Sequence, residues 1–197
     1  MKKILLILNF WRLIIPGIIY MTNSQIKAVI CEDLKRISYA LPENTSEILK
    51  FIYALVWNKP YRAVFYYRIQ NYKICRGVQE LFMANKREIE ISGKIDEGMS
   101  IFHGQGTIVH CECAGKNFSV WQNVTIGRNP SKVADNGRDI PIIGNNVNIY
   151  TGSIVAGGIT IGNNVDIGAG SVVLKDIPDN CVVAGNPAKI IRVKDNV

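Results

Sequence analysis

The chain is predicted to be α+β, an N-terminal α-helical region over residues 1–86 followed by a left-handed parallel β-helix over 87–193. Three observations predict this. Ile143, Ile149, Val155, Ile161, Ile167 and Val173 are β-branched aliphatics at a spacing of six. Four residues after each stand Val147, Ser153, Ile159, Val165, Ser171 and Ile177, all small or aliphatic. Before about Glu88 that rhythm is absent and apolar residues follow helical spacing.

The six-residue rhythm has a direct physical meaning. Each unit supplies a short strand and a corner, and three units close one triangular coil. The repeated aliphatics stack inward as a continuous core. Gly, Asn and Asp fill the corners, as in Gly144-Asn145-Asn146 and Gly162-Asn163-Asn164, because they tolerate left-handed backbone angles. Upstream, Ile89, Ile95 and Ile101 share one phase, and Ile108, Ala114, Val120 and Ile126 share another. The interval from Ile101 to Ile108 is seven, so one residue is inserted there. The interval from Ile126 to Ile143 is 17, which marks a surface loop over residues 127–141. Breaks in a regular scaffold are where function tends to sit.

Within the first 86 residues, Ile26, Val29, Ile30, Leu34 and Ile37 predict a helix over Gln25 to Ala40. Pro42-Glu43-Asn44 breaks the chain, and Thr45 or Ser46 is placed to cap a helix over Glu47 to Trp57. Lys59-Pro60 opens another, predicted over Tyr61 to Ala84, with proline in its first turn. The apolar stretch Ile4 to Met21 follows Lys2-Lys3 but lacks a small-residue cleavage site. It is barely long enough to span a bilayer and contains Asn9, Arg12 and Pro16. A buried helix, an interfacial membrane helix and a span all remain open for it, so peripheral membrane contact through residues 4–21 is one expectation.

The formal charge of +7 suits an acidic ligand, nucleic acid or an anionic membrane, and equally a solubilising surface. No nucleic-acid motif accompanies it, and no nucleic-acid partner is expected. Five scattered cysteines do not make a disulfide framework and fit a reducing, cytoplasmic location. Cys111 and Cys113 form a C-x-C with no second pair, so no metal is expected. On a strand both would point to one face.

The segments Ile167-Gly168-Ala169-Gly170-Ser171-Val172-Val173 and Val183-Ala184-Gly185-Asn186-Pro187-Ala188-Lys189 resemble the hexapeptide-repeat acyltransferases. Within them the chain looks most like the serine acetyltransferase branch. Lys59-Pro60, Phe65-Tyr66-Tyr67-Arg68-Ile69, Gly93-Lys94-Ile95 and Ile101-Phe102-His103-Gly104-Gln105-Gly106 carry that closer likeness. The helices also resemble those of relatives from surface-polysaccharide clusters. The resemblance implies acetyl-coenzyme A as co-substrate, a hydroxyl as acceptor and a homotrimer with active sites between neighbouring β-helices.

An alcohol is a poor nucleophile at neutral pH, so acetyl transfer needs a base within hydrogen-bonding reach. Of the two histidines, His103 matches the family's catalytic position and stands at a phase break; His110 has no family match and is expected at a surface or interface. The family places a carboxylate shortly before this histidine. Glu88 occupies that position in an ungapped alignment, and Glu90 after a two-residue slip. For the donor, whose pantetheine arm the family holds through backbone amides, Thr151, Gly157, Gly158, Ala169 and Gly170 are candidates, with Lys175, Lys189 and Arg192 for its phosphates.

True serine acetyltransferases carry an Asp before the catalytic His and an Arg-His pair before the loop proline, which hold the amino acid's charged ends. Here Phe102 precedes His103, and Asp139-Ile140 precedes Pro141. The expectation is therefore an acetyl-coenzyme A dependent O-acetyltransferase acting on a sugar or glycan hydroxyl. Serine O-acetyltransferase and a non-catalytic β-helix scaffold are the alternatives.

Overall fold

The computed structural model describes residues 13–72 and 88–195. The chain divides into two compact units, Met1–Lys86 and Arg87–Val197.

The first unit contains four described helices: α1 (Ile14–Thr22), α2 (Ser24–Arg36), α3 (Glu47–Trp57) and α4 (Lys59–Arg68). Asn23 starts α2 by accepting the Ile26 N–H at 2.9 Å, and Asn58 starts α4 by accepting that of Tyr61 at 2.9 Å. Pro60 lies in the first turn of α4, as expected. Ser46 occupies the cap position of α3, but its hydroxyl caps nothing; its carbonyl takes the Leu49 and Lys50 amides. The helix predicted over Gln25 to Ala40 stops at Arg36 and continues as a single 3-10 turn, Ser38–Ala40. The helix predicted to Ala84 ends at Arg68, where the Ile69 amide reaches the carbonyls of both Phe65 and Tyr67. Its remaining predicted length, from residue 73, lies outside the described residues, as do residues 4–12 of the N-terminal apolar stretch.

Apolar faces of all four helices meet in one core. Tyr20 stacks on Phe51 at 4.9 Å, and Phe51 meets Phe65 edge-on at 5.5 Å. Asp33 and Arg68 form a two-pronged ion pair at 2.9 and 3.0 Å, only 1% and 8% exposed. Tyr61 is fully buried nearby, and burial followed by the charge of Asp33 holds its hydroxyl well above the usual range.

The second unit is a parallel β-helix of about five coils. Three columns of inward residues follow from the strand register. Ile91, Val109, Ile126, Val155 and Val173 form one, and Ile95, Ala114, Ile143, Ile161 and Ile177 the second. Ile101, Val120, Ile149, Ile167 and Val183 form the third. The regular coil is 18 residues, as between Ile143 and Ile161. The expected inward stack from Ile143 to Val173 is present throughout. The last coil is closed by an antiparallel hairpin of Cys181–Gly185 with Ala188–Val193.

Two parts of the predicted phasing are corrected, the first being that Ile91, not Ile89, stands in register with Val109. The inward residue after Ile101 is Val109, fully buried, whereas Ile108 is 41% exposed. The step from Ile101 to Val109 is thus eight, and the step from Val109 to Ala114 is five. Two residues are inserted before Val109 and one is lost after it. Their sum imitates the single insertion that the spacing suggested. The shortened second step coincides with a register shift opposite Ser92 and Lys94. That irregularity breaks the strand's alternation, so Cys111 is buried while Cys113 is only half-buried, and the two do not share one face.

Candidate active site

Backbone hydrogen bonds locate the inserted residues. At one corner of the β-helix, Phe102, Trp121 and Tyr150 are equivalent, since their amides reach Val120, Ile149 and Ile167 at 2.9, 3.1 and 3.0 Å. Two positions on from Trp121 and Tyr150, the amides of Asn123, Gly152 and Gly170 reach Gln105, Gln122 and Thr151 at 2.8, 3.1 and 2.9 Å. Gln105 is therefore equivalent to Gln122 and Thr151. The two extra residues between Phe102 and Gln105 are His103 and Gly104.

Both adopt positive φ, 64° and 78°. Among the described residues, every other non-glycine at positive φ is an asparagine. Asparagine tolerates this region through local hydrogen bonding, and histidine is also enriched there among non-glycine residues. A histidine held in such a backbone marks a position to test for function. Its turn is fixed by Gly104 N–H to the Phe102 carbonyl at 2.8 Å and Thr107 N–H to the Gly104 carbonyl at 3.3 Å. The side chain is exposed, and none of the described residues hydrogen-bonds its ring.

The carboxylates expected beside it lie on the first strand, Ile89–Ile95, and just before it. Glu88 and Glu90 are both exposed and flank Ile89. A Cβ on Gly104 would stand 2.5 Å from the Ile89 Cδ1, so this strand runs against the His103 turn. The Glu88 carbonyl also accepts the Thr107 amide at 3.2 Å. The structure therefore brings the Glu88 backbone and the Ile89 side chain against the turn, and neither the Glu88 nor the Glu90 carboxylate is hydrogen-bonded to His103.

Below the turn, Phe102, Trp121 and Tyr150 stack as an aromatic ladder with centroids 4.4 Å apart at each step. Burial, and then the charge of Asp166, raises the Tyr150 hydroxyl above its ordinary pKa. The ladder was invisible in the sequence because its spacings, 19 and 29, are the lengths of two irregular coils. His110 is not a free surface group: its Nδ1 lies 2.6 Å from the Ser92 hydroxyl. Cys111, on the same strand, is buried, which pushes its thiol up to about 12 and leaves it uncharged.

The donor candidates separate into two groups. Thr151, Ala169 and Gly170 lie in the same corner column as His103, two and three coils along, and no atom stands within 4 Å of a Cβ built on Gly170. Gly157 and Gly158 have a different role. A Cβ on Gly158 would lie 2.0 Å from the Arg138 carbonyl and 2.5 Å from the Ala134 nitrogen. Their small size admits the chain's own loop, and the Gly158 amide is already bonded to the Lys132 carbonyl at 2.6 Å. Lys175 lines a cleft of about 450 Å³ with Lys132, Arg138, Thr160 and Asp176, and Lys132 is a cation that no sequence pattern singles out. Lys189 and Arg192 are exposed on the last strand.

The 128–141 loop closes on itself. Arg128 pairs with Asp139 at 3.0 Å. The Arg138 guanidinium donates to the carbonyls of Ile140 and Ile159 and to the Thr160 hydroxyl.

Residues 140–175 match the family described as bacterial transferase hexapeptide (six repeats). The chain is 32% identical over 186 residues to a probable serine acetyltransferase 2 of Oryza sativa subsp. japonica, covering 90% of this chain and 51% of that protein. A solved serine acetyltransferase of Neisseria gonorrhoeae in complex with serine is 26% identical, with a TM-score of 0.65 over 87% of this chain and 71% of that one. The β-helix is similar to the hexapeptide-repeat domains of the serine acetyltransferase-like branch. Another serine acetyltransferase of this branch, solved with CoA, shares the fold at 24% identity and a TM-score of 0.64, over 87% of this chain and 72% of that one. The chain spans about half the length of the curated relatives it matches.

Proposed function

We propose that this chain is an acetyl-coenzyme A dependent O-acetyltransferase in which His103 is the general base. The observation that carries the proposal is the His103–Gly104 insertion, which lifts an imidazole out of a regular corner of a hexapeptide β-helix. In the reaction the imidazole takes the proton of the acceptor hydroxyl as its oxygen attacks the thioester carbonyl carbon. The tetrahedral intermediate then collapses, the carbon–sulfur bond breaks, and the imidazolium returns the proton to the departing thiolate. Glu88 or Glu90 stabilises the imidazolium, as the acid does in other base–acid pairs. Thr151, Ala169 and Gly170 line the path of the pantetheine arm, and Lys175 with Lys132 meets the donor's phosphates. A homotrimer would complete the site between neighbouring β-helices and cover the exposed Ile108 and Ile154.

For the acceptor, the names of the relatives favour serine over the sugar expected from the sequence. A second reading retains the chemistry and replaces serine by a hydroxyl on a sugar or glycan precursor. One observation favours it: Phe102 is committed to the aromatic ladder and the Arg138 guanidinium to scaffold acceptors, so neither holds a zwitterion's charges.

The test is thiol release from acetyl-coenzyme A with serine and with a panel of sugars. Saturable turnover with serine alone supports the first reading and removes the second. Turnover with a sugar but not serine does the reverse. A purified, folded protein that turns over neither returns the β-helix to a scaffold.

A further inference from the structure

Helix α1 has an outer surface that water does not suit. Its nine residues, Ile14-Ile15-Pro16-Gly17-Ile18-Ile19-Tyr20-Met21-Thr22, include no charge. Pro16, Ile19 and Tyr20 are buried, while Ile14, Ile18 and Met21 are 47%, 55% and 78% exposed. Their spacing of four and three places them on one face. The helix's one alcohol, Thr22, turns its hydroxyl back onto the Ile18 carbonyl at 2.7 Å. A helix apolar on both its inner and outer faces is normally covered on both.

Charge points to what covers it. Residues 1–40 contain Lys2, Lys3, Arg12, Lys27, Lys35 and Arg36 against Glu32 and Asp33, a balance of +4 out of the chain's +7. Asp33 is neutralised by Arg68 and Glu32 by Lys35 at 2.6 Å. Lys27 sits 5.2 Å from the Tyr20 ring, which holds a cation beside α1. A second copy would bring another segment of the same +4 balance. An anionic surface would be attracted. Among the described residues no single helix is long and apolar enough to cross a membrane, and α1 and α2 bend by 109° at Asn23.

We infer that α1 lies flat on an anionic lipid surface. Ile14, Ile18 and Met21 enter the acyl boundary, and Lys27, beside the Tyr20 ring, meets the headgroups. This attachment is independent of the acetyl-transfer reading, and its test needs no turnover.

The experiment is co-sedimentation of the full chain with vesicles of phosphatidylcholine, alone or mixed with phosphatidylglycerol. Binding is expected to be about tenfold stronger to the mixed vesicles and to fall as salt rises. The double variant Ile18→Glu, Met21→Glu changes only exposed positions, and it is expected to lose about tenfold in binding with an unchanged circular dichroism spectrum. Absence of binding, equal binding to both vesicle types, or undiminished binding by the folded variant would each overturn the inference. So would a solution assembly that the double variant dissociates while the parent chain ignores lipid, since that makes a second copy the occupant. If the variant misfolds, the salt and headgroup dependence of the parent chain decides.

Discussion

The two interruptions of the β-helix differ in size and in what they leave available. The coil from Val120 to Ile149 is 29 residues long, eleven more than the regular 18, and its excess forms the 128–141 loop. The corner after Ile101 gains only His103 and Gly104. The large insertion pairs many of its own polar groups. Asn129 bonds to Asp139, Ala134 to Arg138, Gly158 to Lys132, and the Arg138 guanidinium to the loop's own Ile140 carbonyl and to two scaffold oxygens. The small insertion leaves an exposed imidazole that none of the described residues occupies. Loop length is thus a poor guide to chemistry here; an unsatisfied side chain on a strained, tightly specified turn is a better one.

The comparison can be broken most sharply at His103. His103→Gln is expected to lower kcat for acetyl transfer by about a hundredfold to ten-thousandfold, with the far-ultraviolet spectrum unchanged. A smaller effect would move the base elsewhere. The large loop should answer through stability instead. In Gly158→Ala, the new methyl meets the backbone at Arg138 and Ala134, which cannot yield as a flexible side chain would. Chemical unfolding should show a loss of about 1–3 kcal/mol. Gly104→Ala tests the small turn in the same way. Its φ of 78° disfavours a side chain, but the nearest atom is the end of the Ile89 side chain, which can move. A loss of about 1 kcal/mol is expected, visible as a modest fall in the melting temperature. If Gly104→Ala cost more than Gly158→Ala, the small turn would be the more rigidly packed of the two.

Much of the fold was legible in the residues because the β-helix repeats its own evidence. Six successive aliphatics from Ile143 to Val173 fix the core without reference to anything distant. His103 was legible as a break in that rhythm. The register around it was not, because two inserted residues and one lost residue sum to an apparent insertion of one, and so Ile108 took the place of Val109. Gly157 and Gly158 lie against the chain's own loop, and a glycine that admits a ligand and a glycine that admits a loop look alike in a repeat. The aromatic ladder needed coil lengths that only the register supplies. In the helical unit, the Asp33–Arg68 pair joins residues 35 apart in sequence, a distance at which no local pattern survives.

The central claim is that two residues convert a regular corner into a site for acetyl transfer. Removing both is the direct test. A variant lacking His103 and Gly104 should restore the short corner seen at Trp121-Gln122-Asn123, with the Phe102 and Gln105 register preserved. The account predicts a folded protein, with a melting temperature at or above that of the parent, that releases no thiol from acetyl-coenzyme A with any acceptor the parent accepts. A folded deletion variant that retains the parent's turnover would contradict it.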